Sequence, residues 1–218
     1  MASTTLQPMA VIFDLDGVLI DSSGIHDKAY RQVLREAGIT EFDYRLVAGM
    51  RTRDAMDMLV DQAGITSTES QRAQWAQRKT SLALEQLQKE NPLAPGCRET
   101  LEGLGNRLRL ALATSASRES VAVFLATNRF HGLFESVLTG ADVRRSKPDP
   151  EIYRRTCERL GLPPSQCVIV EDAPAGVEAG KAAGAPVIGL QGTTSASALR
   201  AAGADQIIAC LTDLLVMF

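Results

Sequence analysis

Hydrophobic residues fall along this chain in two rhythms. Short unbroken apolar runs predict strands covered on both faces: residues 9–14, with Val11-Ile12-Phe13 at their centre, and then 108–114, 136–139, 167–170, 186–190 and 206–209. Elsewhere apolar positions recur at steps of three and four, the period of a helix with one buried face. Ile25, Ala29, Val33, Leu34 and Ala37 mark a helix from Ser22 that stops at Gly38. Ala55, Met56, Leu59 and Val60 mark another from Thr52 to Gly64, and Trp75, Leu82, Leu84 and Leu87 lie on a third, from Ser67 or Thr68 to Glu90. Tyr44, Leu46 and Val47 sit between the first two in a segment ending at Gly49 that the pattern does not assign.

After the Pro/Gly cluster 91–96 the grammar changes. Helices predicted at 100–105, 117–127, 150–160, 174–183 and 195–202, and a short one at the C-terminus, alternate with the remaining strands. Such alternation predicts an α/β fold, a Rossmann-like doubly wound parallel sheet. The helical block follows the first strand, so it is expected to be an inserted α-helical cap. The boundaries that result are residues 1–20 and 93–218 for the core and 21–92 for the cap, with hinges near 15–22 and 90–95.

Composition narrows the function classes. The 218 residues are 45% apolar but only 5% aromatic, so Leu, Val, Ile and Ala do most of the packing. A net charge of −3 with no long basic run argues against a nucleic-acid partner. The four cysteines contain no C-x-x-C pair, so neither a zinc knuckle nor a thioredoxin motif is suggested. Cys167 and Cys210 lie in apolar runs and are expected in the core. Met1–Pro8 shows no signal-peptide pattern, and no apolar run approaches the ~20 residues that span a bilayer. A cytoplasmic protein without a membrane partner, monomeric or weakly dimeric, is the expectation.

The chemistry gathers at strand ends, where ligands bind in open parallel sheets. The first strand ends in Asp14-Leu15-Asp16-Gly17. One carboxylate there can attack phosphorus, the second can move a proton, and a hard cation such as Mg²⁺ suits the pair. The glycine lets the chain turn sharply between strand and helix. The run 108–114 ends in Thr114-Ser115-Ala116-Ser117, whose hydroxyls either hold phosphate oxygens or cap the next helix. In Ser146-Lys147-Pro148-Asp149-Pro150 the lysine precedes a helix on extended backbone; it either neutralises a phosphoryl group or is a surface residue. Glu171-Asp172-Ala173-Pro174-Ala175-Gly176 ends the fourth run with two acids, for a metal, for a helix cap, or both.

Together and in this order the four motifs resemble those of the haloacid dehalogenase-like hydrolase superfamily, over essentially the whole chain. The helical insert is similar to the four-helix cap of its sugar-phosphate phosphatase and β-phosphoglucomutase branch. The resemblance implies that Asp14 is the nucleophile and forms an aspartyl-phosphate. Asp16 is then the general acid/base and gives its backbone carbonyl to Mg²⁺. Thr114, with Ser115 beside it, and Lys147 bind the transferring phosphoryl group, and Asp172 with Glu171 holds the metal. Residues 16–22 would be the flap that lets the cap close on a small phosphorylated metabolite. Dehalogenases of the superfamily lack the second acid, so Asp16 argues against carbon–halogen chemistry. His26 stands where mutase-like members carry a histidine at the start of the cap, and Arg51 and Arg53 are candidates for an anionic substrate group. Such mutases also carry a lysine before the cap glycine, where this chain has Ala48 and Gly49. A phosphatase is therefore expected ahead of a β-phosphoglucomutase-like mutase. A non-catalytic binding module would show damaged motif positions, and all four motifs are intact.

Overall fold

The structure, a computed structural model, describes residues 7–218; the first six, and with them most of the stretch read for a signal peptide, lie outside the described residues. Six parallel strands form one sheet: β1 (Ala10–Phe13), β2 (Arg109–Ala113), β3 (Ser136–Leu138), β4 (Cys167–Glu171), β5 (Val187–Leu190) and β6 (Gln206–Ile208). Their order is β3-β2-β1-β4-β5-β6. Strand order reverses beside β1, which pairs with β2 on one side and β4 on the other. The crevice outside the carboxyl ends of β1 and β4 is thus a topological switch point, where such sheets bind ligands.

Between β1 and β2 the chain forms α1 (Ser23–Glu36), α2 (Thr52–Gln62), α3 (Glu69–Glu90) and α4 (Cys97–Gly105). Beyond β2 come α5 (Arg118–Asn128), α6 (Glu151–Leu160), α7 (Pro174–Ala183), α8 (Ala196–Ala201) and α9 (Asp213–Met217). Alternate residues of each strand feed opposite faces. Val11, Phe13, Leu110, Leu112, Val168 and Val170 pack with α4, α5 and α9, whereas Ile12, Ala111, Ala113, Cys167 and Ile169 pack with α6, α7 and α8. A separate apolar cluster, built on Tyr30, Val33, Leu34, Met56, Leu59 and Val60, lies among α1, α2 and α3. The inward positions predicted for α1 and α2 are all buried.

Local chemistry sets the helix ends. Thr68 caps α3 in a reciprocal capping box with Gln71, and Asn91 ends that helix in the left-handed region. The two connections between sheet and helical block pair with each other: Asp21 N donates to the Pro92 carbonyl (2.7 Å) and Ala94 N to that of Leu19 (3.0 Å). The Lys147–Pro148 peptide is cis.

One core assignment fails. Cys167 is fully buried, but Cys210 is exposed, its sulfur beside Thr212 and Asp213. The edge strand β6 ends at Ile208, so the apolar run through Cys210 outlasts the sheet that would bury it. Among the described residues, no helix is long and apolar enough to cross a membrane.

Candidate active site

Asp14 follows the last residue of β1 and is 3% exposed; its amide donates to the Val170 carbonyl, which extends β1 one step along β4. Glu171 closes β4 and Asp172 follows it, both buried. Parallel pairing therefore sets the three carboxylates side by side. Lys147, 1% exposed, reaches them from the segment before α6. Its Nζ donates to Asp14 Oδ1 (2.6 Å), Glu171 Oε1 (2.6 Å) and the Ala113 carbonyl (3.3 Å), and lies over the Tyr153 ring. Burial opposes its charge, but Asp14 and Glu171 outweigh burial and hold the ammonium well above the usual lysine range. The surface alternative for this lysine is excluded.

One ammonium does not balance three carboxyl groups. Burial first, then the Glu171 and Asp16 charges, push Asp14 up to about 7 against the pull of Lys147. Burial and the charges of Glu171 and Asp14 hold Asp172 well above the usual carboxylate range. Asp172 does not cap α7, whose N-cap is Ala173. Oxygens of Asp14, Glu171 and Asp172 all lie within 4.8 Å of one another. A crowded, hard-oxygen donor set short of positive charge fits a divalent cation such as Mg²⁺.

Glu171 contributes differently from its neighbours. Its Oε1 accepts from Lys147 and from the Tyr153 hydroxyl (2.5 Å), and its Oε2 from the amides of Asp172 (3.1 Å) and Ala173 (3.4 Å). With all four acceptor positions taken, the carboxylate holds Lys147 and leaves the cation-facing oxygens to Asp14 and Asp172. Glu171 thus reaches the candidate metal group of Asp14, Glu171 and Asp172 with its oxygens already hydrogen-bonded. Gly17, at φ +80°, passes so close to Asp172 that a Cβ would overlap its carboxylate.

Asp16 turns toward the helical block. Its Oδ1 accepts from Ser22 (2.6 Å) and His26 Nε2 (2.8 Å), and Lys79 Nζ donates to His26 Nδ1 (3.0 Å). The lysine fixes the tautomer: Nδ1 accepts and the proton sits on Nε2. Burial raises Asp16, but His26, Ser22 and Lys79 outweigh it and bring the group down to about 2. Its side chain is thus separate from the metal-facing cluster, as a ligand acting through its backbone carbonyl permits. A cavity of about 450 Å³ lies above these groups, lined by Asp14, Asp16 and Thr114 below and by Tyr44, Thr52 and Lys79 above.

Residues 11–190 match the sequence profile of the family described as haloacid dehalogenase-like hydrolase. The chain belongs to the haloacid dehalogenase-like hydrolases. It is an enzyme, and several of its curated relatives are named as phosphatases. It is 36% identical over 178 residues, 80% of this chain and 81% of the other, to a "Phosphorylated carbohydrates phosphatase" of Thermotoga maritima. It is 34% identical over 206 residues, 93% of each chain, to a "Validoxylamine A 7'-phosphate phosphatase" of Streptomyces hygroscopicus subsp. limoneus. A solved hydrolase from Pseudomonas syringae superposes with a TM-score of 0.86 at 26% identity, over 95% of this chain and 96% of that one.

In this haloacid dehalogenase-like hydrolase the remaining expected residues take varied places. Thr114 is buried beside Asp14, and its Oγ1 accepts from the Ala116 amide (3.1 Å). Ser117, not Ser115, caps α5; Ser115 Oγ donates to the Gly49 carbonyl (2.7 Å) and so joins core to helical block. Arg53 lines the cavity but pairs with Asp57 (3.0 Å) and Glu69 (3.7 Å). Arg51 has every donor engaged by protein acceptors, so in this conformation it is not a ligand for a substrate anion. Lys79 and Tyr153 were not foreseen. The signal for Lys79 was present: it lies on the same helical stripe as Ala76, Ala83 and Leu87, a lysine among inward positions. Tyr153 carried none, being one more apolar position of α6.

Proposed function

We propose that this chain is a Mg²⁺-dependent phosphatase that hydrolyses a small phosphorylated carbohydrate through a phosphorylated Asp14. In this reading residues 1–20 and 93–218 are the catalytic core and residues 21–92 a cap over it. The reading is carried by one observation: Lys147 bridges Asp14 and Glu171 beside a third buried acid, Asp172, and Asp14 opens onto the cavity. The names of the curated relatives support a sugar phosphate as substrate.

Asp14 attacks phosphorus in line; the bond to the leaving oxygen breaks, and that oxygen takes a proton from Asp16. Lys147 and Thr114 hold the phosphoryl oxygens while charge redistributes over them. Water then attacks the phosphorus of the aspartyl-phosphate, Asp16 accepts its proton, and phosphate leaves with Asp14 regenerated. Asp14, Asp172 and the Asp16 backbone carbonyl would hold Mg²⁺, which when bound neutralises phosphoryl charge. Asp16 enters this cycle ionised, so it first takes up the proton of the substrate's monoanionic phosphate group and then gives it to the leaving oxygen; the substrate's negative charge opposes the Lys79 charge that helps keep Asp16 low.

The phosphatase reading is favoured over a mutase by the cap: Ala48 is buried and uncharged where such mutases place a lysine, and Arg51 is engaged. A phosphate-release screen over sugar monophosphates, with and without Mg²⁺, tests it. Metal-dependent free phosphate is the expected result. A hexose 1-phosphate converted to its 6-phosphate in the presence of a bisphosphate primer, without phosphate release, would establish the mutase instead.

A further inference from the structure

Arg51 stands at the N-terminal edge of α2, where the helical block meets the core. A guanidinium carries five N–H donors, and the fold supplies an acceptor for each. Nε (2.8 Å) and Nη2 (3.2 Å) donate to the two oxygens of Asp54. Nη1 donates to the carbonyls of Gly140 (3.4 Å) and Val143 (3.2 Å), and Nη2 to that of Arg144 (3.2 Å). Three of the five acceptors are main-chain oxygens of one turn, the turn that leaves β3 and runs into Lys147.

That turn is fixed independently from the core side. The Asp142 carboxylate accepts from Thr139 and pairs with Arg118 (2.7 Å), and the Glu151 carboxylate accepts from the amides of Arg144 and Arg145. The turn is therefore the rigid partner, and the helical block is what the arginine holds. Gly140 makes the approach sterically feasible: a Cβ there would lie 2.7 Å from the Ser115 carbonyl oxygen and 2.9 Å from Arg51 Cγ. Ser115 adds its bond to Gly49 two residues before Arg51. The cavity lies between these contacts and the carboxylates of Asp14 and Asp16.

We propose that Arg51 is a positioning residue, a clasp that reads the backbone of residues 140–144 and holds the helical block shut over the cavity. Asp54 balances the arginine's charge and aims its fork, so the clasp consists of directed hydrogen bonds. Lysine, with three donors and no fork, does not reproduce it. The kinetic consequence rests on the phosphatase reading above; the clasp itself does not.

The test compares wild type with Arg51→Ala, Arg51→Lys and, from the opposite side of the contact, Gly140→Ala. Hydrogen exchange is followed over residues 44–54 in the substrate-free protein. kcat/KM is measured for a hexose 6-phosphate and for p-nitrophenyl phosphate. A clasp predicts faster exchange in all three variants and kcat/KM lowered about tenfold or more, by the same factor for both substrates. Arg51→Ala and Gly140→Ala combined should speed exchange over residues 44–54 little beyond the faster of the two, because both break the Arg51 contact, whatever Gly140→Ala adds at the Ser115 carbonyl. Unchanged exchange overturns the proposal, and so does a loss confined to the hexose phosphate, which would make Arg51 a substrate ligand. If Arg51→Ala fails to fold, Gly140→Ala carries the same readouts. If wild type releases no phosphate from any ester, the phosphatase reading fails and exchange alone decides the clasp.

Discussion

Lys147 holds together two carboxylates that would otherwise repel each other out of contact with water. Breaking a buried pair by removing one partner leaves uncompensated charge, which typically costs ~3–5 kcal/mol. Lys147→Met is accordingly predicted to lose stability of that order near neutral pH in EDTA, measured by urea unfolding. The loss should shrink near pH 5, where Asp14 takes up a proton. Equal losses at both pH values would mean that Asp14 is not the group relieved. At this scale the sequence was legible where chemistry and position coincide: Asp14, Asp16, Lys147 and Asp172 follow strands, and a strand end in a parallel sheet is a functional edge. The hydrogen-bond partners of Glu171 and Arg51 were not legible, because they come from remote segments. Nothing within ten residues of Arg51 shows that the carbonyls of 140–144 will meet it.

Among the elements, α7 brings its first turn against the end of β4. A Cβ on Gly176 would overlap the Glu171 carboxylate, so the glycine is a steric requirement of the Lys147 seat. Overpacking of this kind costs roughly 1–3 kcal/mol. Gly176→Ala should therefore lower the melting temperature and also depress kcat, since Glu171 can yield only by moving Lys147. A melting shift with kcat unchanged would separate Glu171 from the chemistry. Strands and helices were the most legible level of the fold, because burial on both faces and the helical period leave different marks. Their ends were less so: β1 is Ala10–Phe13 within the predicted 9–14, and β6 stops short of Cys210 because an edge strand lacks a neighbour to continue it.

For the whole molecule the sheet order explains why one pocket collects so much negative charge. The switch point sets β1 beside β4, and each ends in acid. The metal-free protein should feel this as pH rises. Asp14 has its folded value raised from 3.8 to about 7, so the folded state binds that proton more tightly than the unfolded chain. The resulting stabilisation is fully present below about pH 4 and is lost as pH rises through about 7. A bound divalent cation replaces the proton, so Mg²⁺ should raise the melting temperature more near pH 8 than near pH 5. An equal shift at both would argue against a cation held by Asp14. The helices that follow β1, with their own apolar cluster, were legible from the helical period; how they dock was not, since docking depends on side chains meeting a main-chain turn.

The central claim is that Asp14 carries the phosphoryl group. Rapid quench of wild type during turnover of a sugar monophosphate with Mg²⁺, followed by mass analysis of the peptide containing Asp14, tests it most directly. A phosphoryl adduct on that peptide, with no adduct and no phosphate release from Asp14→Asn of native-like fold, is the predicted result. Phosphate release by Asp14→Asn at the wild-type rate would contradict it.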